Sequence, residues 1–230
     1  ILNAAANAFN DYMDSETDKI NRPDRPIPKG AISKMTALIA AILLFVAGIT
    51  LSAFLNSDAF IIASLIAVPL MIAYSLWFKG WPLFGNIVVA LILGLTFIFA
   101  GAAFGNLWGL IVPALLAFGF TLLRELVKDI ADLEGDRSAG LRTFPVLAGE
   151  KKSAILAIIL SAMIGAGALI PYFLGFYGLK YLIILIFGIE FPLFYVLLTL
   201  VKSPTITNCK RIAQILKACI IVGLLAVYLG

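Results

Sequence analysis

Residues 34–55 read KMTALIAAILLFVAGITLSAFL, and this stretch decides the fold. Not one charged residue stands between Lys34 and Asp58, and a bilayer core takes about 20 predominantly apolar helical residues to cross. Ser33 is placed to cap the helix that follows. Outward from this stretch the pattern repeats. Six more apolar segments have approximate bounds 58–78, 83–104, 107–127, 151–174, 178–201 and 209–229. The breaks between them carry turn chemistry, such as Asn56-Ser57-Asp58, Lys79-Gly80-Trp81-Pro82 and Ser203-Pro204. Only helices or closed barrels span lipid, and these runs are too long and continuous for barrel strands. The expected fold is all-α, a polytopic transmembrane helix bundle forming a single domain over 1–230, with polar motif loops at about 14–33 and 128–150.

Residues 1–14, ILNAAANAFNDYMD, have the alanine density of a helix packed closely on a membrane neighbour. They are too short to span alone, and the chain opens on Ile rather than Met. The expectation is a truncated first helix with residues missing upstream, which makes eight helices in all. Composition agrees: 62% hydrophobic and 13% charged, against about 25% charged in soluble domains, with a mean hydropathy of +1.07. A net charge of +4 does not point to nucleic acid. Folding the chain up and down collects every basic residue except Lys180 on one side, which is the cytoplasmic side by the positive-inside rule. The chain is thus expected in the cell membrane with its polar loops in the cytoplasm. No histidine is present, which removes imidazole-based zinc sites, triads and proton relays. The two cysteines read as small buried hydrophobes.

Two acidic clusters interrupt this apolar chain. Asn10, Asp14 and Asp18 are four apart, so a helix would stack them on one face, and Lys19, Arg22 and Arg25 follow. Far downstream come Asp129, Asp132 and Asp136, with Lys128 before them and Arg137 and Arg142 after. Four helices lie between the clusters, so both are expected at the cytoplasmic surface, where they can converge. Clustered carboxylates raise each other's pKa unless compensated. Hard oxygen ligands of this kind suit a pair of Mg²⁺ ions that carry a polyphosphate, and the interleaved bases suit its remaining charge. The alternative is a pair of solvated charged loops. Tyr74, Lys79 and Asn86 make a third polar group, which reads either as substrate contacts or as an interfacial belt with Trp77, Phe78 and Trp81. Glu190 lies in mid-segment, a functional-site hypothesis by default or a protonated carboxyl bonded within the bundle.

These residues carry a resemblance. NDYMDSETD with RPDRPIP resembles the first signature of the UbiA superfamily of intramembrane prenyltransferases, KDIADLEGDRSAGLRTFPV resembles its second, and YSLWFKGWPLFGN its intervening Tyr/Lys segment. The wording of NDYMDSETDKINRPDRPIP and RELVKDIADLEGD is most similar to the archaeal branch that joins geranylgeranyl diphosphate to geranylgeranylglyceryl phosphate on the way to ether membrane lipids. The resemblance implies that Asn10, Asp14, Asp18, Asp132 and Asp136 hold Mg²⁺ with Asp129 assisting. It also implies that Lys19, Arg22, Lys79, Lys128 and Arg137 contact diphosphate or an acceptor phosphate. Arg25 and Asn86 are further candidates for substrate contact. The family has nine helices where eight are counted here, and its Tyr–Lys spacing is often four where Tyr74 and Lys79 are five apart. Other acceptors, such as the aromatic ones of quinone synthesis, use the same diphosphate half. A cation-coupled transporter working through Glu190 is the reading from a different class.

Overall fold

The structure, a computed structural model, describes residues 1–138 and 140–230, and only the backbone of Ile20 and Asn21. It is helical in the order α1 (Leu2–Met13), α2 (Ser15–Asn21), α3 (Lys34–Ala53), α4 (Ser57–Leu76), α5 (Phe84–Ala103), α6 (Trp108–Ala131), α7 (Leu133–Ser138), α8 (Phe144–Ala148), α9 (Glu150–Phe173), α10 (Leu179–Lys202) and α11 (Ile206–Leu229). Among the described residues, seven of these (α3, α4, α5, α6, α9, α10 and α11) are long and apolar enough to cross a membrane. Their large apolar side chains are widely exposed, as with Leu43, Val46, Leu65, Phe187 and Ile221. On a spanning helix such a surface faces lipid. The expected bounds hold to within a few residues, except that α6 runs on to Ala131 and takes Lys128 and Asp129 out of the expected loop. No Gly or Pro stands between Phe120 and Gly135 to stop it.

The chain divides into two compact units, residues 1–79 with 99–108, and residues 80–98 with 109–230. In the first, α1 lies along α3, with Ala5, Ala37 and Ala41 buried between them. Gly48 permits this approach, because a Cβ there would come 2.4 Å from Leu2 Cδ2. Phe9 meets Phe45 edge-on at 6.5 Å. Asn56 joins two helix ends: its Oδ1 accepts from Ala59 N at 2.8 Å, and its Nδ2 donates to the carbonyls of Ala102 and Ala103 at 2.9 and 3.2 Å.

In the second unit, α6 is the most buried span. Phe120, Leu123, Leu126, Val127 and Ile130 recur at helical spacing on its inner face and pack with α9 and α11. Tyr181 is fully buried and donates to the Ala168 carbonyl at 2.6 Å.

One device occurs in both units. Inside α4 and α10 a wide π-helical turn (Ile62–Ala67, Ile186–Glu190) comes just ahead of a proline, Pro69 or Pro192. A helical proline cannot donate and crowds the carbonyl four residues back. The wide turn shifts the pattern by one residue: Val68 N donates to Ala63 O, and Phe191 N to Ile186 O. Each helix thereby passes its proline and continues.

Candidate active site

The first acidic cluster is built on a helix broken at its middle ligand. Asp14 ends α1 and starts α2 with φ −84° and ψ 0°, yet the backbone ladder runs through the break. Asp14 N donates to Asn10 O, Asp18 N to Asp14 O and Arg22 N to Asp18 O, each at 2.8 Å. Asn10, Asp14 and Asp18 are therefore stacked at one-turn intervals, as the spacing predicts. Asn10 Nδ2 donates to Asp14 Oδ2 at 2.9 Å. Lys79, in the turn Phe78–Gly80 after α4, brings its Nζ to Asp14 Oδ2 and, at 3.3 Å, to Asn10 Oδ1. One ammonium is thus held by oxygens of two expected metal ligands.

Other acids and bases of this unit are paired as well. Arg25 Nη1 donates to Asp18 Oδ2 at 2.8 Å and to Asp11 Oδ1 at 2.9 Å, and Asp18 is buried. Lys19 pairs with Glu16 on the surface at 2.8 Å, and its hydrogen bond holds the Glu16 carboxyl below the usual range. Arg22 is exposed, and Tyr74 is half-buried on the last full turn of α4.

The second cluster repeats the break. Asp132 separates α6 from α7 with φ −99° and ψ 6°. Asp132 N donates to Lys128 O at 2.9 Å and Asp136 N to Asp132 O at 2.8 Å. Asp129 accepts from Asn86 Nδ2 at 2.8 Å, which joins a residue of the Tyr/Lys segment to the second motif. Leu83 has the unusual positive φ of 59° three residues before Asn86. Strained backbone of this kind collects at functional sites. Asp136 accepts from Thr143 Oγ1 at 3.0 Å. Burial raises the Asp136 carboxyl above its ordinary range, with the Thr143 hydroxyl pulling the other way. Arg124 Nη1 reaches Glu125 Oε1 at 2.5 Å, and Lys128 Nζ lies 3.5 Å from Glu125 Oε2. Arg137 is exposed.

Sequence reasoning passed over Asp11, Glu125 and Thr143. A signal existed for the first, since Asp11, Asp18 and Arg25 are spaced by seven, two helical turns. Glu190 lies in the wide turn of α10, with its Oε1 buried and unpartnered among the described residues.

Among the described residues no three carboxylate or thiol groups are gathered closely enough to hold a metal. The donors nevertheless fit Mg²⁺. They are amide and carboxylate oxygens at one-turn intervals, the chemistry that hard cations select, and the Lys79 ammonium shows that two of them already converge on a single positive charge.

The profile of the UbiA prenyltransferase family matches residues 1–218. Digeranylgeranylglyceryl phosphate synthase of Natronomonas pharaonis is 42% identical over 187 residues, covering 81% of this chain and 67% of that protein. The chain thus spans about two thirds of that relative's length. A solved structure described as digeranylgeranylglyceryl phosphate synthase in membranes superimposes with a TM-score of 0.81 at 30% identity, covering 98% of this chain and 80% of that one. A UbiA homolog from Archaeoglobus fulgidus bound to DMAPP and Mg²⁺ has a TM-score of 0.73 at 20% identity, covering 98% and 83%, a likeness of fold.

Proposed function

Because the chain belongs to the UbiA prenyltransferase family, we propose that it transfers a geranylgeranyl group from its allylic diphosphate to the free hydroxyl of geranylgeranylglyceryl phosphate. The observation that carries this reading is the cation seat on the first signature, where Asn10 Oδ1 and Asp14 Oδ2 both hold the Lys79 ammonium. The names of the similar synthase and of the solved structure support the choice of substrates, and the ligands of the Archaeoglobus homolog support an allylic diphosphate with Mg²⁺.

Asn10, Asp14 and Asp18 in one unit, and Asp132 and Asp136 in the other with Asp129 assisting, would hold two Mg²⁺ ions. The metal would neutralise the diphosphate and make it a competent leaving group. Lys79, Lys19, Arg22, Lys128 and Arg137 draw the diphosphate by charge, and Asn86 orients Asp129. The apolar helix flanks take the prenyl tail and keep water from the allylic cation, which Tyr74 steadies through its ring face. The C–O bond to diphosphate breaks, an ether C–O bond forms to the acceptor, and the hydroxyl proton leaves with the diphosphate. By the positive-inside rule the base-rich loops belong in the cytoplasm, so the site would open at the cytoplasmic surface of the cell membrane.

The test incubates purified protein with radiolabelled geranylgeranyl diphosphate, with or without Mg²⁺, and a panel of acceptors. Label should enter digeranylgeranylglyceryl phosphate, should require Mg²⁺, and should fall by orders of magnitude in Asp14→Ala and Asp132→Ala. Label appearing only in an aromatic acceptor would overturn the acceptor, and undiminished turnover in EDTA would overturn the role of the acids.

A further inference from the structure

Each acidic motif ends on an aspartate whose Oδ2 is held by a side chain seven residues further on. In one unit Arg25 Nη1 donates to Asp18 Oδ2 at 2.8 Å. In the other Thr143 Oγ1 donates to Asp136 Oδ2 at 3.0 Å. The two holders differ in chemistry.

Thr143 occupies the N-cap position of α8, with extended φ −64° and ψ 159°. A threonine there ordinarily accepts from the N–H of the second or third helical residue. The second is Pro145, which has no N–H, and the Thr143 side chain makes no cap bond. Its hydroxyl is turned to Asp136 instead. Arg25 lies in the proline-rich stretch after α2, and a single nitrogen serves two carboxylates, Asp18 on α2 and Asp11 on α1. It spans the helix break at Asp14.

We propose that Arg25 and Thr143 are positioning residues for the metal site, each fixing one oxygen of the last aspartate of its motif and leaving the other oxygen for the cation. Outer partners of ligating carboxylates act in this way, and removing one typically weakens metal binding about 10–100-fold. Arg25 is then a brace for Asp18 rather than a diphosphate contact. The proposal rests on the reading of Asp18 and Asp136 as metal ligands, and its experiment separates the two.

Purified protein is titrated with Mn²⁺, followed by electron paramagnetic resonance, with no diphosphate present. Thermal unfolding is recorded alongside. Thr143→Val keeps the shape and loses the hydroxyl, Thr143→Ala serves should Val fail to fold, and Arg25→Gln keeps a polar side chain without the charge. Each is expected to weaken Mn²⁺ binding roughly 10–100-fold, with Thr143→Ser restoring it. If the Thr143 variants lose melting temperature but bind Mn²⁺ as before, Thr143 only caps α8 and the proposal is overturned for that motif. Unchanged binding in Arg25→Gln overturns it for the other, since a contact to diphosphate would not register in this titration. Asp18→Asn and Asp136→Asn are the controls. If they too leave Mn²⁺ binding unchanged, the metal reading itself fails. If they abolish it while the Thr143 and Arg25 variants do not, only the positioning role falls.

Discussion

Replacing Lys79 by Ala separates a structural strut from a working cation. Its Nζ is paired with Asp14, with side chains 41% and 19% exposed, and approaches Asn10 Oδ1 at 3.3 Å. An ion pair exposed to this degree contributes about 0–1 kcal/mol, so folding stability should change by less than about 1 kcal/mol, a few degrees in melting temperature at this chain length. Lys79 and a metal ion would compete for the same two oxygens. Removing Lys79 should therefore leave metal binding intact or tighten it by up to about fivefold, the equivalent of 1 kcal/mol.

Diphosphate binding should move the other way. A hydrogen bond to a charged partner contributes about 1.5–3 kcal/mol, so an ammonium that passes from Asp14 to the incoming diphosphate should cost about 10- to 150-fold in affinity when deleted. The assay is calorimetry in two stages, first Mn²⁺ alone and then a non-ionising thiolo-diphosphate analogue at saturating Mn²⁺. Metal affinity more than tenfold weaker, or analogue affinity unchanged, would refute the reasoning. Lys79 would then be a brace for α1 rather than a placeholder for the metal.

Gly165→Ala would set a Cβ 2.8 Å from Glu190 Oε2 and should cost about 1–3 kcal/mol by overpacking, measured by thermal unfolding in detergent. Gly188→Ala should cost more, because its Cβ would fall 2.2 Å from Val222 Cγ1 and a β-branched side chain has little freedom to turn away. Asn56→Ala removes the cap of α4 together with the bonds to Ala102 and Ala103 and should destabilise by about 1–2 kcal/mol, while Asn56→Asp keeps the cap and recovers part of the loss. Glu190→Gln should retain prenyl transfer, since the carboxyl lies in mid-span of α10 with its Oε1 unpartnered among the described residues; loss of turnover comparable with Asp14→Ala would assign it a chemical role.

What could be read from the chain and what could not divide along a physical line. The spans were legible because crossing hydrocarbon sets both length and composition, a constraint that acts on every residue from Lys34 to Ala53 at once. The stacking of Asn10, Asp14 and Asp18 was legible for a similar reason, since a spacing of four is a geometric property of any helix. The breaks at Asp14 and Asp132 were not, because no Gly or Pro marks them. Each leaves the i−4 hydrogen bond in place and carries ψ to near 0°, a change that no residue type announces. The partners of the acids were hidden for a further reason. A sequence shows that Lys19, Arg22, Arg25 and Lys79 are available, but pairing depends on reach. Lys19 lies one turn from Glu16 and pairs with it, whereas the turn after α4 carries Lys79 back to Asn10 and Asp14 from 69 and 65 residues away. Thr143 was the least visible, since a threonine just before a short helix looks like a cap. Only the missing N–H of Pro145 hints that its hydroxyl is free for Asp136. Short-range periodicity therefore identifies the residues proposed to carry the chemistry, and the connections that aim them come from loops and helix ends, where sequence pattern is weakest.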